Sequence, residues 1–480
     1  MNPSSRRQFL RFLGIGTASM FLPLSACSHK ENPPNILLIM ADDLGAKELG
    51  CYGHPHHQTP NLDELAGTGV RFRTCYAAPV CSPTRVMLMT GQYGFRNGWT
   101  DNRYRPGGAG DSEQAQIGDY HVTFADMLKD RGYRTAAAGK WQLPGELPTL
   151  VHDTGFDEYS VWMNVIPGSI DYDGGLEKPG KPSRFHYPGI LQNGKQLPTG
   201  PNDYGPDVYT DFLIDFIKKS GDQPFLAYYP MCLTHLPWEP TPDQPDIQSA
   251  SKPERLRANV EYMDKMIGRL VQALEESGLR DNTIILFTGD NGTKYNGKYT
   301  PTELGARVPM IVNSPNFVQS GVVSDELLDL SDVMPTIADF TGASLPVDRV
   351  IDGHSFAHIV KGEPGPVRDW CFSFLSGKRV LRDKRWLLEY NSPDEFGLFF
   401  DCGDSRNGEE YKEVTRSNDP QVIAARKRFT KILEKLPVPD MHGPEAETFR
   451  EKMREEMRLL PANLQRFCPW LDLNLPYDSL

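Results

Sequence analysis

Cysteine is sparse in this chain, and no two cysteines form a Cys-x-x-Cys pair. The eight that occur in 480 residues are scattered, which excludes a zinc ribbon. An excess of basic charge is also lacking. Lys+Arg number 51 against 63 Asp+Glu, a formal net charge of -12. That balance argues against non-specific nucleic-acid binding, so no nucleic-acid partner is expected. It does not exclude an anionic substrate, because a small cleft can be basic on an acidic protein. Internal repeats and low-complexity blocks are missing. Beyond residue 24 no apolar run is long enough to span a bilayer.

The amino terminus reads as a transport address. Arg6 and Arg7 precede the apolar run Phe12 to Leu24. This is the charged and short hydrophobic pattern of a bacterial export signal, and the paired arginines point to the twin-arginine machinery. Leu24-Ser25-Ala26-Cys27 is similar to a lipoprotein processing site, which would put a lipid on Cys27. The bland alternative is an ordinary signal peptide with a chance cysteine. The expectation is an exported protein, periplasmic or on the cell surface, tied to the membrane through Cys27 alone. Of the remaining cysteines, Cys51, Cys75, Cys81, Cys232, Cys371, Cys402 and Cys468, export permits disulfides but spacing does not pair them.

After the signal, buried-type apolar strands alternate with amphipathic helices. Asn35 to Met40, Arg134 to Ala138, Phe225 to Tyr229, Thr283 to Thr288 and Val308 to Val312 read as strands. Thr59 to Ala66, Val86 to Thr90, Tyr209 to Lys219 and Pro253 to Ser277 read as helices. The pattern predicts an α/β fold with a large, mostly parallel central sheet flanked by helices. Gly362 to Val367 reads as a linker. Beyond it, short strands and a helix over Pro420 to Leu436 predict a smaller α+β domain with a short antiparallel sheet. The expected organisation is a signal over 1–27, a catalytic domain over 34–361 and a C-terminal subdomain and tail over 367–480. The Gly-, Pro- and Tyr-rich stretch from Pro144 to Pro206 is too long for a simple connection and is expected to shape a binding surface.

Polar residues gather just after strand ends, where open α/β sheets place ligands. Asp42-Asp43 and Asp290-Asn291 follow two apolar strands. Carboxylates so close in sequence repel unless a cation neutralises them, and all-oxygen ligands favour Ca²⁺ or Mg²⁺ over zinc. A lone Asp-Asp pair is more often a solvated turn. Lys140 and His235 stand at similar strand-end positions, and Lys298 lies in a Gly-rich loop.

Cys81-Ser82-Pro83-Thr84-Arg85, with Leu88-Met89-Thr90-Gly91 after it, resembles the Cys-x-Pro-x-Arg signature of the formylglycine-dependent sulfatases of the alkaline phosphatase superfamily. Ala41-Asp42-Asp43-Leu44-Gly45, Thr59-Pro60-Asn61-Leu62-Asp63, Gly139-Lys140-Trp141, Gly289-Asp290-Asn291-Gly292 and Arg307-Val308-Pro309 match in order. So does the spacing of Lys298 and Glu303. The resemblance runs from about Pro34 to Asp401.

The resemblance implies that a formylglycine-generating maturation enzyme oxidises Cys81 to an aldehyde, whose hydrate is the nucleophile. It implies that Asp42, Asp43, Asp290, Asn291 and the modified Cys81 hold one Ca²⁺, with Mg²⁺ less favoured. Arg85 would brace the diol, Lys140 and Lys298 would meet sulfate oxygens, and His235 would protonate the departing alcohol. At Gln142 the chain departs from the family, which usually has histidine there; glutamine can hydrogen-bond but cannot take a proton. His152 is the nearest substitute base in sequence. The implied reaction is hydrolysis of a sulfate ester, with a sulfated carbohydrate as the expected partner. The rival readings are a formylglycine-dependent phosphonate or phosphodiester hydrolase and a non-catalytic glycan-binding lipoprotein. Tyr172, His186, Tyr187, Tyr204 and Trp238 are expected either to stack on sugar rings or to serve as packing. His54, His56 and His57 read as an exposed loop rather than a metal site.

Overall fold

The computed structural model describes residues 33–100, 117, 121–143, 149–162, 183–375, 377–393 and 395–436. The signal segment with Cys27, the tail beyond 436 and Tyr172 lie outside the described residues. The described residues, from Pro33 on, form one compact unit.

Strand β1 (Asn35–Ala41) is buried along its whole length. Its alternate residues feed two cores: Ile36, Leu38 and Met40 on one face, Leu37, Ile39 and Ala41 on the other. A strand covered on both faces has no polar side, which is why it reads as one apolar run. Helix α1 (Pro60–Gly67) leads to β2 (Val70–Tyr76), and α2 (Cys81–Thr90) follows directly. Helix α3 (Phe124–Asp130) starts on a Thr123 capping box and precedes β3 (Arg134–Lys140). Then come β4 (Glu158–Trp162), β5 (Ile190–Gln192), β6 (Lys195–Gln196), α4 (Gly205–Lys218), β7 (Phe225–Pro230), α5 (Lys252–Glu276), β8 (Thr283–Gly289), β9 (Arg307–Asn313), β10 (Val322–Asp329) and α6 (Val333–Thr341).

These strands form one ten-stranded sheet in the order β10-β2-β9-β8-β1-β7-β3-β4-β5-β6. The central run from β8 through β1, β7 and β3 to β4 is parallel throughout. Strand β9 is antiparallel to both neighbours. The expected mostly parallel sheet with flanking helices is therefore present. Strands β4 to β6 and β10 escaped the sequence reading. The first three interrupt a Gly- and Pro-rich stretch, and β10 alternates with charge (Asp325, Glu326) and carries a register shift.

A second sheet of five antiparallel strands follows in chain order: β11 (Cys371–Leu375), β12 (Lys378–Arg382), β13 (Trp386–Asn391), β14 (Leu398–Asp401) and β15 (Lys412–Glu413). Helix α7 (Pro420–Leu433) packs on it, with Phe429 edge-on to Phe399 at 5.2 Å. Arg379 closes the helix end by donating to the carbonyls of Leu433 and Leu436 at 3.1 and 3.0 Å. This sheet reaches back toward α2. Ser373 Oγ donates to Ala77 O at 2.6 Å, and Leu375 packs with Val80, Cys81 and Tyr299.

Candidate active site

The parallel strands end at one edge of the sheet, and there the polar residues converge. Asp42 and Asp43 follow β1, Asp290 and Asn291 follow β8, Lys140 is the last residue of β3, and His235 lies just beyond β7. All but His235 are buried. Two glycines allow this convergence. A Cβ on Gly139 would meet the carbonyl oxygen of Pro230 at 2.1 Å, and one on Gly289 would meet that of Leu44 at 2.2 Å. Only glycine lets the strand ends and the 41–45 loop approach so closely. Two non-glycine residues here, Asp43 (φ 57°) and Gln142 (φ 55°), take left-handed backbone. Such conformations persist where surrounding contacts over-determine them, and they collect at functional sites.

Cys81 is the first residue of α2, so its side chain stands at the positive end of a ten-residue helix. Its Sγ donates to Gln142 Oε1 at 3.3 Å. Arg85 lies one turn on, on the same helix face. Its Nη2 meets Asp290 Oδ2 at 2.6 Å and Asp42 Oδ1 at 3.5 Å, and its Nη1 donates to Lys140 O at 3.2 Å. Lys140 Nζ holds Asp42 at 2.8 and 2.6 Å, and Lys298 Nζ donates to Asp43 Oδ1 at 2.5 Å. Both ammonium groups thus rest on carboxylates. Asn291 Nδ2 donates to the same Asp43 oxygen at 3.0 Å, and the Asp43 amide donates to Asp290 Oδ1 at 2.9 Å. The structure brings together Asp42, Asp43, Cys81, Arg85, Lys140, Gln142, His235, Asp290, Asn291 and Lys298.

Burial alone would raise every carboxyl here. For Asp42 the nearby Lys140, His235 and Arg85 outweigh burial and hold it well below the usual carboxylate range. Lys298 and His235 lower Asp43 too, against its burial. Asp290 goes the other way, pushed up to about 7 by burial and by the charge of Asp42, against the pull of Arg85. The half-buried His235 is depressed by the desolvation of its ring, against the pull of Asp43 and with Arg184 and Lys298 adding to it. Its Nδ1 lies 2.5 Å from Leu236 O and must carry a proton to donate there. The titrating nitrogen is therefore Nε2, which faces Asp43 Oδ2 at 3.7 Å.

Two buried oxygens of the cluster, Asp43 Oδ2 and Asn291 Oδ1, accept no hydrogen bond, while Asp42 Oδ2 is met by Lys140 Nζ at 2.6 Å. Orphaned buried acceptors are costly. Two carboxylates and an amide carbonyl are the donor set of a hard divalent cation, so the residues present fit such an ion. Ligand atoms of Asp42, Cys81 and Asp290, and of Asp42, Asp43 and His235, lie within 4.8 Å of one another.

Several expectations are corrected. His152 is not brought to the cluster. It precedes β4, at the opposite edge of the sheet from the strand carboxyl ends, with Nδ1 on Phe156 O at 2.8 Å. Of the two readings of Tyr204 and Trp238, packing holds: both are buried core residues, and Trp238 Nε1 is committed to Thr234 O at 2.8 Å. His186 Nε2 is bonded to Pro240 O at 2.7 Å. In the histidine loop His56 is exposed, but His57 is buried and stacks on His54 at 3.5 Å. His54 and His57 stand near Glu48. His54 Nδ1 accepts the amides of His56 and His57 at 3.2 and 2.9 Å. Its neutral form therefore carries the proton on Nε2, the atom nearest Glu48, which suits a hydrogen bond and not a metal. Thr59 to Asp63 proves structural: Asp63 Oδ1 accepts from Cys51 N at 2.7 Å, and Asp264 accepts the amides of Asn61 and Leu62 at 3.0 and 2.8 Å. The six described cysteines are free.

One residue was missed. Arg184 is buried, with Nη1 3.8 Å from Asp42 Oδ2 and its guanidinium stacked 4.3 Å over Trp162. It lies in irregular chain with no motif around it. The only signal was a lone arginine in the stretch expected to shape a surface.

A mostly parallel α/β sheet that gathers an oxygen-rich, cation-flanked centre around a helix-borne cysteine defines the class. The chain belongs to the sulfatase family: the family model described as Sulfatase matches residues 34–343. It is 33% identical over 347 residues to N-acetylgalactosamine-6-sulfatase of Canis lupus familiaris, covering 67% of this chain and 65% of that relative. It is 31% identical over 393 residues to human (Homo sapiens) arylsulfatase A, covering 75% and 74%. The crystal structure of Ps i-CgsB in complex with k-i-k-neocarrahexaose superposes with a TM-score of 0.70 at 25% identity, over 91% of this chain and 99% of that one. The match spans just under two thirds of the N-acetylgalactosamine-6-sulfatase length.

Proposed function

We propose that this protein hydrolyses a sulfate ester of a sulfated carbohydrate to the alcohol and inorganic sulfate. The observation that carries this reading is charge. Among the described residues four buried cations, Arg85, Lys140, Arg184 and Lys298, stand around the three carboxylates Asp42, Asp43 and Asp290. A buried centre so rich in fixed cationic donors suits a tetrahedral oxyanion and the charge that develops as its ester bond breaks.

Cys81 would act after oxidation to formylglycine; its Sγ stands where the hydroxyls of the hydrated aldehyde would lie. The hydrate supplies one hydroxyl to attack sulfur and a second whose deprotonation expels sulfate. Asp42, Asp43, Asp290 and Asn291 would hold Ca²⁺, which would supply Lewis acidity to the sulfuryl group and the attacking hydroxyl. Lys140 and Lys298 would turn from their carboxylates to sulfate oxygens once a divalent ion took over those carboxylates. Arg85 fixes Asp290 and the end of β3 from the nucleophile helix. His235 would receive a proton at Nε2 and pass it to the leaving alcohol oxygen. Gln142 would orient a hydroxyl through Oε1 without taking its proton.

The carbohydrate part of the reading is supported by the names of the similar proteins, one an N-acetylgalactosamine-6-sulfatase and one in complex with k-i-k-neocarrahexaose. Export, with a lipid on Cys27, belongs to the same proposal. Among the described residues no helix is long and apolar enough to cross a membrane.

The test is mass spectrometry of the peptide containing Cys81, from protein made with a formylglycine-generating enzyme, followed by a sulfate-release assay. Conversion of thiol to aldehyde with release of sulfate from aryl and glycan sulfates is expected. An aldehyde-bearing protein that cleaves phosphonate esters and no sulfate would favour the phosphonate hydrolase. An intact thiol with glycan binding and no turnover would favour the binding protein.

A further inference from the structure

A groove of about 1080 Å³ lies between β2 and the C-terminal sheet, and no residue of the cysteine centre lines it. Six cations do: Arg71 and Arg73 on β2, Arg307 at the start of β9, Lys384 and Arg385 between β12 and β13, and Arg406 in the loop after β14. On a chain of formal charge -12 this is a local reversal of sign. Three of the six are neutralised. Arg73 pairs with Asp325 at 3.1 Å, Lys384 with Glu326 at 2.6 Å and Arg385 with Asp401 at 2.7 Å. The other three have no carboxylate at ion-pair distance among the described residues. Arg71 lies 4.9 Å over the ring of Tyr52. Arg406 Nη1 donates only to the carbonyls of Gly403 and Ser405, at 3.2 and 3.0 Å. Arg307 is 5% exposed, and its guanidinium bonds only the Arg406 carbonyl. The remaining acids of the wall, Asp404 and Glu410, are exposed, where water and salt screen them.

A buried guanidinium without a counter-charge is unfavourable, and an oxyanion at its fork relieves that cost. The groove is larger than one sulfate needs and matches the volume of a substantial ligand. A neighbouring cavity of about 470 Å³ shares Arg307, Asn407 and Glu410 with it. Gly45 and Thr293, from the loops that carry Asp43 and Asn291, line that second cavity. One of the three arginines without a carboxylate, Arg307, therefore lies between the groove and a cavity that Gly45 and Thr293 also line.

We propose that this groove is a secondary binding site for a polysulfated glycan chain, with Arg71, Arg307 and Arg406 meeting sulfate groups that are not being cleaved. The proposal rests on the sulfated-carbohydrate reading above. It commits to sulfate on a sugar polymer because the cations without a carboxylate partner are guanidinium groups lining one open groove. No row of exposed aromatic side chains, of the kind that stacks nucleic-acid bases, lines it.

The experiment is calorimetric titration of the full chain with dextran sulfate, and in parallel with unsulfated dextran, inorganic sulfate and single-stranded polythymidylate. Dextran sulfate is expected to bind, dextran not at all, and inorganic sulfate and polythymidylate far more weakly. Arg71→Ser and Arg406→Ser, both at partly exposed positions, should each weaken dextran sulfate binding about tenfold and flatten its salt dependence. Arg71→Lys should restore part of the loss. Turnover of a small aryl sulfate should be unchanged in all three variants. Binding that ignores both serine variants, polythymidylate as tight as dextran sulfate, or inorganic sulfate as tight as the polymer would overturn the assignment. Dextran sulfate binding that responds to the arginines in a protein without sulfatase activity would sink the enzymatic reading and leave the groove assignment standing.

Discussion

The sulfur of Cys81 lies 3.3 Å from Oε1 of Gln142, which is held there on left-handed backbone. Left-handed backbone costs a non-glycine residue about 1 kcal/mol, so the contact is maintained against a local preference. If Cys81 becomes the proposed nucleophile, the side chain at 142 is a neighbour placed to act on it, and glutamine has no proton chemistry. Gln142→His should supply a base at that point. Turnover of an aryl sulfate should rise about tenfold or more, with an acid limb near the ordinary imidazole value of about 6.5. Steady-state rates between pH 5 and 9 check this. An unchanged profile would place the base elsewhere.

Lys298 and Asp43 form a buried pair in which each partner compensates the other. Removing one partner of such a pair costs about 3–5 kcal/mol, because the other is left buried and charged. Lys298→Met should therefore lower the Tm of metal-free protein by several degrees. Calcium offers Asp43 a replacement charge, so the variant should recover more Tm on calcium addition than the unmutated protein does. Scanning calorimetry with chelator and with calcium makes the comparison. Equal calcium shifts in both proteins would mean that Asp43 is not a ligand.

Much of the centre was legible because its residues follow buried strands, and a strand with two apolar faces has no other place for Asp42 or Asp290 than its end. The beginning of α2 was less legible. The apolar stretch suggested a helix from Val86, whereas the helix starts at Cys81, which puts the cysteine at a helix terminus. Arg184, Tyr204 and Trp238 show where pattern fails. They lie in irregular chain, where nothing local distinguishes an arginine near a carboxylate from a solvated one, or a core tryptophan from a sugar platform. The groove arginines are more opaque still. Arg71 and Arg406 are 335 positions apart in the chain and meet only through the packing of one sheet on another.

Asn291 offers a test of the ion. Its Oδ1 is buried and accepts nothing, while its Nδ2 is already spent on Asp43 Oδ1 and Gly292 O. Asn291→Ala removes the unused oxygen and a donor to Asp43. Calcium affinity, read by competition with terbium luminescence, should fall at least about tenfold, as expected for the loss of one ligand or its close support. Chelation should abolish sulfate release from the unmutated protein, and calcium should restore it better than magnesium.

Glu389 gives a prediction independent of the reaction. Its carboxyl is buried, its Oε1 accepts the Glu303 amide at 2.7 Å, and burial pushes its pKa from 4.5 up to about 8. A carboxyl raised on folding binds its proton more tightly in the native state. It therefore costs nothing below about pH 4.5, where both states are protonated. The cost grows as pH rises from 4.5 to 8, and it is constant above 8. Glutamine keeps the acceptor oxygen and never ionises. Glu389→Gln should match the unmutated protein in stability near pH 4.5, gain steadily above it and hold a constant advantage of a few kcal/mol beyond pH 8. Urea denaturation at four or five pH values measures the difference. An advantage independent of pH would show that Glu389 titrates normally and that its gain comes from packing alone.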